Sequence, residues 1–124
     1  TSVKFAPGKE SLLLTNSRDS TLKLVDARTY QAVASLNHPG FRTGTSFSRA
    51  CLSPSALYAA AASANGNVYI WDIAAATTSA ALTSSSVVAV LETHGASATG
   101  CDWCHSMPGT LASCDATGGL RVWV

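Results

Sequence analysis

A chain of 124 residues with a net charge of +1 has the length of one ordinary domain, and its 47% apolar content argues against disorder. Only 12% of the residues are charged, and the basic ones are scattered without interleaved aromatics, so no nucleic-acid surface is indicated. No apolar run approaches the roughly 18 residues that cross a bilayer; the longest weakly polar stretch, Ala56 to Ala62, is short and built from small residues.

Alternating apolar positions predict strands along the whole chain. The first unit has an inner strand at Val3–Phe5, a Pro7-Gly8 turn, and a buried strand at Leu12–Thr15. The turn Ser17-Arg18-Asp19-Ser20 follows, then strands at Leu22–Val25 and Ala32–Leu36. The second unit repeats this order: Phe47–Leu52, a Ser53-Pro54-Ser55 turn, Leu57–Ala62, the turn around Asn65-Gly66, and Val68–Trp71. Asn-Gly is a strong hairpin signal because both residues tolerate positive φ. Residues 74–86 are rich in Ala, Ser and Thr and lack a period, which reads as an extended loop. An outer strand at Val87–Leu91 completes this unit. The third unit runs Ala98–Trp103, Leu111–Cys114 and Leu120–Trp123, with turns at 106–109 and 116–119.

Each unit has a third strand ending alike: Leu22-Lys-Leu-Val-Asp26, Val68-Tyr-Ile-Trp-Asp72 and Leu120-Arg-Val-Trp-Val124. The equivalent positions Val25, Trp71 and Trp123 lie 46 and 52 residues apart. A self-similar unit of roughly 40–45 residues is the period of WD40 propeller blades. The expected fold is therefore all-β: a partial WD40 β-propeller of about three four-stranded blades. The blades divide as 1–36, then 37–73 plus 87–91 around the 74–86 loop, then 92–124, the last lacking its outer strand. Three blades cannot close a ring, since propellers use roughly 4–8. The chain therefore reads as a fragment of a longer propeller, with open edges that are pairing sites.

A Trp packed between sheets needs a partner for its indole N–H. In WD repeats that network runs through a His before the inner strand and an Asp in the hairpin turn. The residues at those places are His38, Asn65 and Trp71, joined by Ser63, in the second unit. In the first unit Asp19 occupies the turn but Val25 replaces the Trp; in the third, His94 and Trp123 are present but Thr117 replaces the Asp. No unit is complete in the ideal form. The competing reading, catalytic His/Asp pairs, needs a defined pocket that spacing does not supply.

Cys101-Asp-Trp-Cys104-His105 has the spacing of a c-type haem attachment site, with Met107 as an imaginable axial ligand. Half a zinc site, completed by Cys114 or His94, is the other metal reading. Strand alternation weighs against both, because it places Cys101 and Trp103 on one face and Cys104 on the other. Cys51 and Cys101 fall on apolar-periodic positions, where a free Cys acts as a small buried hydrophobe; this favours a reducing, intracellular setting. The cysteines are accordingly read as structural, with no metal, no cofactor and no catalytic residues. There is no G-x-S-x-G and no P-loop, and nothing in the sequence points to an enzyme.

A narrower likeness rests on several runs: residues 16–29, His38-Pro-Gly-Phe-Arg-Thr-Gly44, Arg49, Leu52-Ser-Pro54, Tyr58 to Ser63, and Gly66-Asn-Val-Tyr-Ile-Trp71. These resemble the C-terminal propeller of the autophagy-related protein 16-like family. The most specific details are Val25-Asp26 in place of Trp-Asp, followed by Ala-Arg-Thr, and the Pro39-Gly-Phe-Arg42 insertion. The likeness weakens after Ile73, where the 74–86 loop is longer than the family's and 101–107 has its own character. The resemblance implies a non-catalytic scaffold that binds proteins or short peptides and supports Atg8 lipidation and autophagosome assembly. The alternative is a WD40 scaffold of another pathway. It further implies a complex with the Atg12–Atg5 conjugate through regions absent here. The implied setting is cytoplasmic, with peripheral and indirect association at the forming autophagosome membrane. Arg18, Phe41 and Arg42 are the partner-binding candidates, since an aromatic beside Arg is common at hot spots. The plainer alternative for Phe41 is that it packs down onto the sheet.

Overall fold

The computed structural model describes residues 2–6, 8–44, 48–73, 87–92, 94–107 and 109–124. Its strands are β1 (Ser2–Ala6), β2 (Lys9–Asn16), β3 (Leu22–Asp26), β4 (Gln31–Leu36), β5 (Ala50–Leu52), β6 (Tyr58–Ala62), β7 (Asn67–Asp72), β8 (Val87–Glu92), β9 (Ala98–Trp103), β10 (Leu111–Asp115) and β11 (Leu120–Trp123). They form three antiparallel meanders: a first sheet in order β1-β2-β3-β4, a second in order β5-β6-β7-β8, and a third in order β9-β10-β11. This is a partial propeller, all-β as expected, with the third sheet one strand short of the others. The region expected as a loop, 74–86, lies outside the described residues, as does the start of the expected inner strand at Phe47.

Register shows how closely the sheets repeat. The hairpins that join the second and third strands of each sheet close on Asn16↔Leu22, Ala62↔Val68 and Cys114↔Leu120. Ser17, Ser63 and Asp115 therefore share one position, and Asp19, Asn65 and Thr117 another. A register shift between Leu24 and Val25 recurs between Ile70 and Trp71, at the same step of the two complete sheets. Such a bulge turns the strand and re-aims the side chain that follows it.

The core lies between sheets. Leu14, Leu22, Leu24 and Leu36 of the first sheet pack on Ala59, Ala61, Tyr69 and Trp71 of the second. The other face of the second sheet packs Cys51, Ala60 and Val68 on Trp103 and Leu111 of the third. Residues 59–62, all alanines and all buried, put small side chains on both faces of β6. The large rings and leucines of the neighbouring strands fill the space they leave. The outer faces of the end sheets remain apolar and open: Val3 and Phe5 are 62% exposed, Leu120 64% and Val122 62%. Burying side chains of this size is worth about 1.5–3 kcal/mol each, so both faces are built to be covered.

Candidate functional site

In each sheet the turn between the second and third strands, and the loop that enters the next sheet, fall at the same end. Segment 37–44 therefore runs over the turns 17–21 and 63–67, and its hydrogen bonds grip both. Thr43 N–H donates to Ser20 Oγ (3.1 Å), and Thr43 Oγ1 donates to Asn16 Oδ1 (3.1 Å). On the other side Arg42 N–H donates to Ser63 Oγ (3.0 Å), and Ala64 N–H donates to the Arg42 carbonyl (2.8 Å). Asn65 Nδ2 donates to the Gly40 carbonyl and to the Tyr69 hydroxyl, both at 2.9 Å. A surface segment is thus tied to two sheets at once, a rigid base on which exposed side chains are presented.

Phe41 is not one of those exposed side chains. It is fully buried, with its edge to Trp71 (centroids 5.3 Å apart, 86°) and to Tyr69 (5.7 Å, 81°). The expectation of Phe41 as a docking aromatic is therefore corrected: its ring is the strut under the segment. Its apolar area and the T-shaped fit to two rings hold it inward. Arg42, on the segment, and Arg18, in the turn 17–21 that the segment grips through Ser20, are both exposed. The Arg42 guanidinium folds back to donate to the Phe41 carbonyl (2.7 Å).

The second-sheet residues expected to form a network converge on this segment but bond differently. Trp71 Nε1 donates to the Asn37 carbonyl (3.1 Å) and not to His38. His38 Nδ1 accepts from Gly40 N–H (2.9 Å), and the imidazole lies 4.9 Å from the Tyr69 ring. Asn65 Oδ1 caps its own turn by accepting from Asn67 N–H. Asp19 does the same in the first sheet, accepting from Thr21 N–H and Oγ1.

The third sheet holds a continuous hydrogen-bonded chain. Trp123 Nε1 donates to Ser113 Oγ (3.1 Å); Ser113 Oγ meets His94 Nε2 (2.8 Å); His94 Nδ1 meets Asp115 Oδ2 (2.9 Å). With Nδ1–H donating to the carboxylate, Nε2 accepts from the Ser113 hydroxyl, and every polar group in the chain has a partner. Thr117 stands at the position of Asp19 and Asn65, as expected, but the acid is supplied from two positions earlier, at Asp115, and Thr117 donates to it from N–H and Oγ1. The Thr117 hydroxyl, then His94, then the Gly119 and Thr117 N–H groups hold the Asp115 carboxyl far below the usual carboxylate range.

By distance alone Ser113, His94 and Asp115 reproduce a nucleophilic triad. Their surroundings suit packing instead: Ser113 is 2% exposed, and its hydroxyl already accepts from Trp123. A triad serine must reach a substrate carbonyl beside oxyanion donors. Sequence reasoning missed Ser113 and Asp115 because Asp115 stands eight residues before Trp123, whereas Asp19 and Asn65 stand six before Val25 and Trp71. The available signal was Asp115-Ala-Thr117, an acid followed two residues later by a hydroxyl, which is an Asx-turn pattern.

The C-x-x-C-H motif is split. Cys101 turns toward Cys51, with the sulfurs 3.6 Å apart. Cys104 lies at the end of β9 against the Ser106 hydroxyl (3.4 Å), which together with the Met107 and Ser106 N–H groups lowers its thiol pKa. His105 is exposed. No group of three His, Cys, Asp or Glu converges as a metal site among the described residues.

The WD domain, G-beta repeat family matches residues 33–72, which cover the gripping segment and most of the second sheet. Over 123 residues, 99% of this chain and 19% of the relative, the chain is 34% identical to Protein tipD of Dictyostelium discoideum. It is 31% identical to Autophagy-related protein 16 of Arabidopsis thaliana over 111 residues, covering 90% of this chain and 20% of that protein. Protein Atg16l2 of Mus musculus is 41% identical over 61 residues, 49% of this chain and 10% of that protein. The chain spans about a fifth of the length of the first two curated relatives it matches.

Proposed function

We propose that this chain, a WD40-repeat protein resembling autophagy-related protein 16, is part of a non-catalytic scaffold that docks proteins or short peptides on its loop end. The observation that carries this reading is segment 37–44. It is hydrogen-bonded to two sheets and braced by buried Phe41, yet it leaves Arg42 exposed, as Arg18 is in the first-sheet turn that the segment grips. Exposed arginines on a fixed backbone suit recognition, because little loop entropy is lost when a partner is ordered against them. The open apolar faces of the first and third sheets are covered by further blades of the same propeller in this reading.

In the whole protein the scaffold supports Atg8 lipidation and autophagosome assembly, in the cytoplasm and peripherally at the forming membrane. It works in a complex with the Atg12–Atg5 conjugate, held by regions outside this chain. The likeness to Autophagy-related protein 16 over 90% of the chain supports this assignment.

The test is Arg18→Glu with Arg42→Glu in the full-length protein, returned to cells that lack it. Impaired Atg8 lipidation or autophagosome formation, with protein level and Atg12–Atg5 capture unchanged, is the expected result. Normal flux would remove the arginine surface from the assignment. Normal flux after deletion of residues 1–124 as a unit would remove the pathway role from the propeller.

A further inference from the structure

The inner strands of the second and third sheets run side by side, tied by Arg49 N–H donating to the Thr99 carbonyl (3.1 Å). At the middle of each strand sits a cysteine. Cys51 pairs with Ala60 across its sheet, and Cys101 pairs with Ser113 across its own. Their sulfurs are 3.6 Å apart, in hydrogen-bond contact across the boundary between sheets.

Access to the two sulfurs differs. Cys51 is 4% exposed, in the core between the sheets. Cys101 is half-buried and lines an open cleft of about 250 Å³ with Arg49, Asp102, Ala112, Cys114 and Leu120. Cys101 is the less buried residue of the two, so it is the thiol that a small oxidant meets first. The other two cysteines make contacts of their own, Cys104 with Ser106 and Cys114 with Thr99.

We propose that Cys51 and Cys101 are a redox pair, closing to a reversible disulfide between neighbouring blades when the protein meets hydrogen peroxide. The Cys101 thiolate attacks one peroxide oxygen and the O–O bond breaks. The leaving hydroxide takes up a proton as water, and Cys101 becomes a sulfenic acid. The Cys51 thiolate then attacks the Cys101 sulfur. The S–S bond forms, the S–O bond breaks, and the second hydroxide leaves as water with the proton that Cys51 gave up. Two thiols lose two electrons in all, and one peroxide becomes two waters. The sulfurs must close by about 1.5 Å to reach bonding distance, a movement within reach of side-chain rotation.

The contact with Cys51 first, and burial second, push the Cys101 thiol up, which makes the first step slow at neutral pH. Once formed, the sulfenic acid has its resolving thiol in contact, so disulfide formation outruns further oxidation.

The experiment is oxidation of the folded full-length protein with hydrogen peroxide, followed by alkylation of the remaining thiols and digestion without reduction. Trypsin leaves residues 50–121 in one piece, so Glu-C and chymotrypsin, cutting at Glu92 and Trp103, are used to separate Cys51, Cys101 and the pair Cys104/Cys114. The expected result is a Cys51–Cys101 cross-linked peptide about 2 Da below the summed thiol peptides. It should disappear on dithiothreitol treatment, with circular dichroism unchanged by the oxidation. In the Cys51→Ser protein, Cys101 should instead be recovered as sulfinic acid. A cross-link that appears only after unfolding in urea would overturn the proposal. So would Cys101 recovered as thiol or sulfinic acid in the wild-type protein at peroxide doses that consume Cys104.

Discussion

The second and third sheets solve one problem with different chemistry. Each must hold a tryptophan of its third strand against the loop that enters it. The second sheet uses rings: Phe41, Tyr69 and Trp71 interlock, and the indole N–H is satisfied by a backbone carbonyl. The third sheet uses a polar chain from Trp123 through Ser113 and His94 to Asp115. Equivalent backbone contacts make the exchange visible. Ala64 and Ala116 N–H groups donate to the carbonyls of Arg42 and Ser97, so Ala96 stands where Phe41 stands. Where the loop brings no ring, hydrogen bonds hold it; where it brings one, the loop's histidine lies tilted against Tyr69 instead. One turn geometry thus tolerates two kinds of fastening, provided each leaves no buried polar group unpaired.

Phe41→Ala should break the first kind. Removing a fully buried phenylalanine costs about 3–5 kcal/mol, read as a lower urea midpoint, and it loosens the segment that carries Arg42. Ala96→Gly, at the matching place in the third sheet, should do little by comparison. Equal losses would show that the ring is not the fastening.

The glycines of the two turns sharpen the contrast. Gly66 and Gly118 occupy the same position at φ of 91° and 92°, where the first sheet has Ser20 at 66°. A side chain in this left-handed conformation costs about 1–2 kcal/mol, the expected loss for Gly118→Ala, which meets nothing nearby. A Cβ on Gly66 collides with the carbonyls of His94 and Ala96, in the loop that enters the third sheet. Gly66→Ala should therefore cost more, about 2–3 kcal/mol. Unfolding midpoints that fall together for both variants would deny the tight contact between those sheets.

The strands were legible because short apolar runs are bounded by turn residues, with Asn65-Gly66 marking the second-sheet turn. Trp71 and Trp123 were legible as packed rings because nothing else in their strands has that volume. The partners of those rings were not. Asn37 serves Trp71 through its backbone, which every residue possesses, so no sequence pattern announces it. Phe41 is a single ring in a Gly-rich loop, where no period says which way it faces. Asp115 was hidden by register: five-membered turn spacing is constant across the sheets, but the acid has moved within it.

Ser113→Ala should open the polar chain at its centre. It removes the acceptor for Trp123 and the donor to His94, a loss of about 1–2 kcal/mol, toward the lower part of the cost of orphaning buried groups. The reason for the low value is that Trp123 is only half-buried and can reach water. His38→Ala should fall well short of this, since Trp71 does not depend on that ring.

The smallest effect is a pH signature that only the third sheet carries through its histidine. The Asp115 carboxyl is held low in the folded protein by Thr117 and His94, so on acidification the unfolded chain takes up the proton first. Its contribution is complete above the ordinary aspartate pKa of about 3.9 and is lost as pH falls from there toward the folded value. Asp115→Asn keeps an acceptor for Thr117 and Gly119 but removes the titration. Its urea midpoint should therefore be lower than wild type at pH 7, and the difference should shrink toward pH 2. The neutral Asn65 gives the second sheet no such limb, so Asn65→Ala should shift the midpoint by the same amount at both pH values. A wild-type minus Asp115→Asn difference that is flat between pH 7 and pH 2 would mean that the carboxylate holds the turn as a neutral acceptor does, and that its charge adds nothing to the grip on His94.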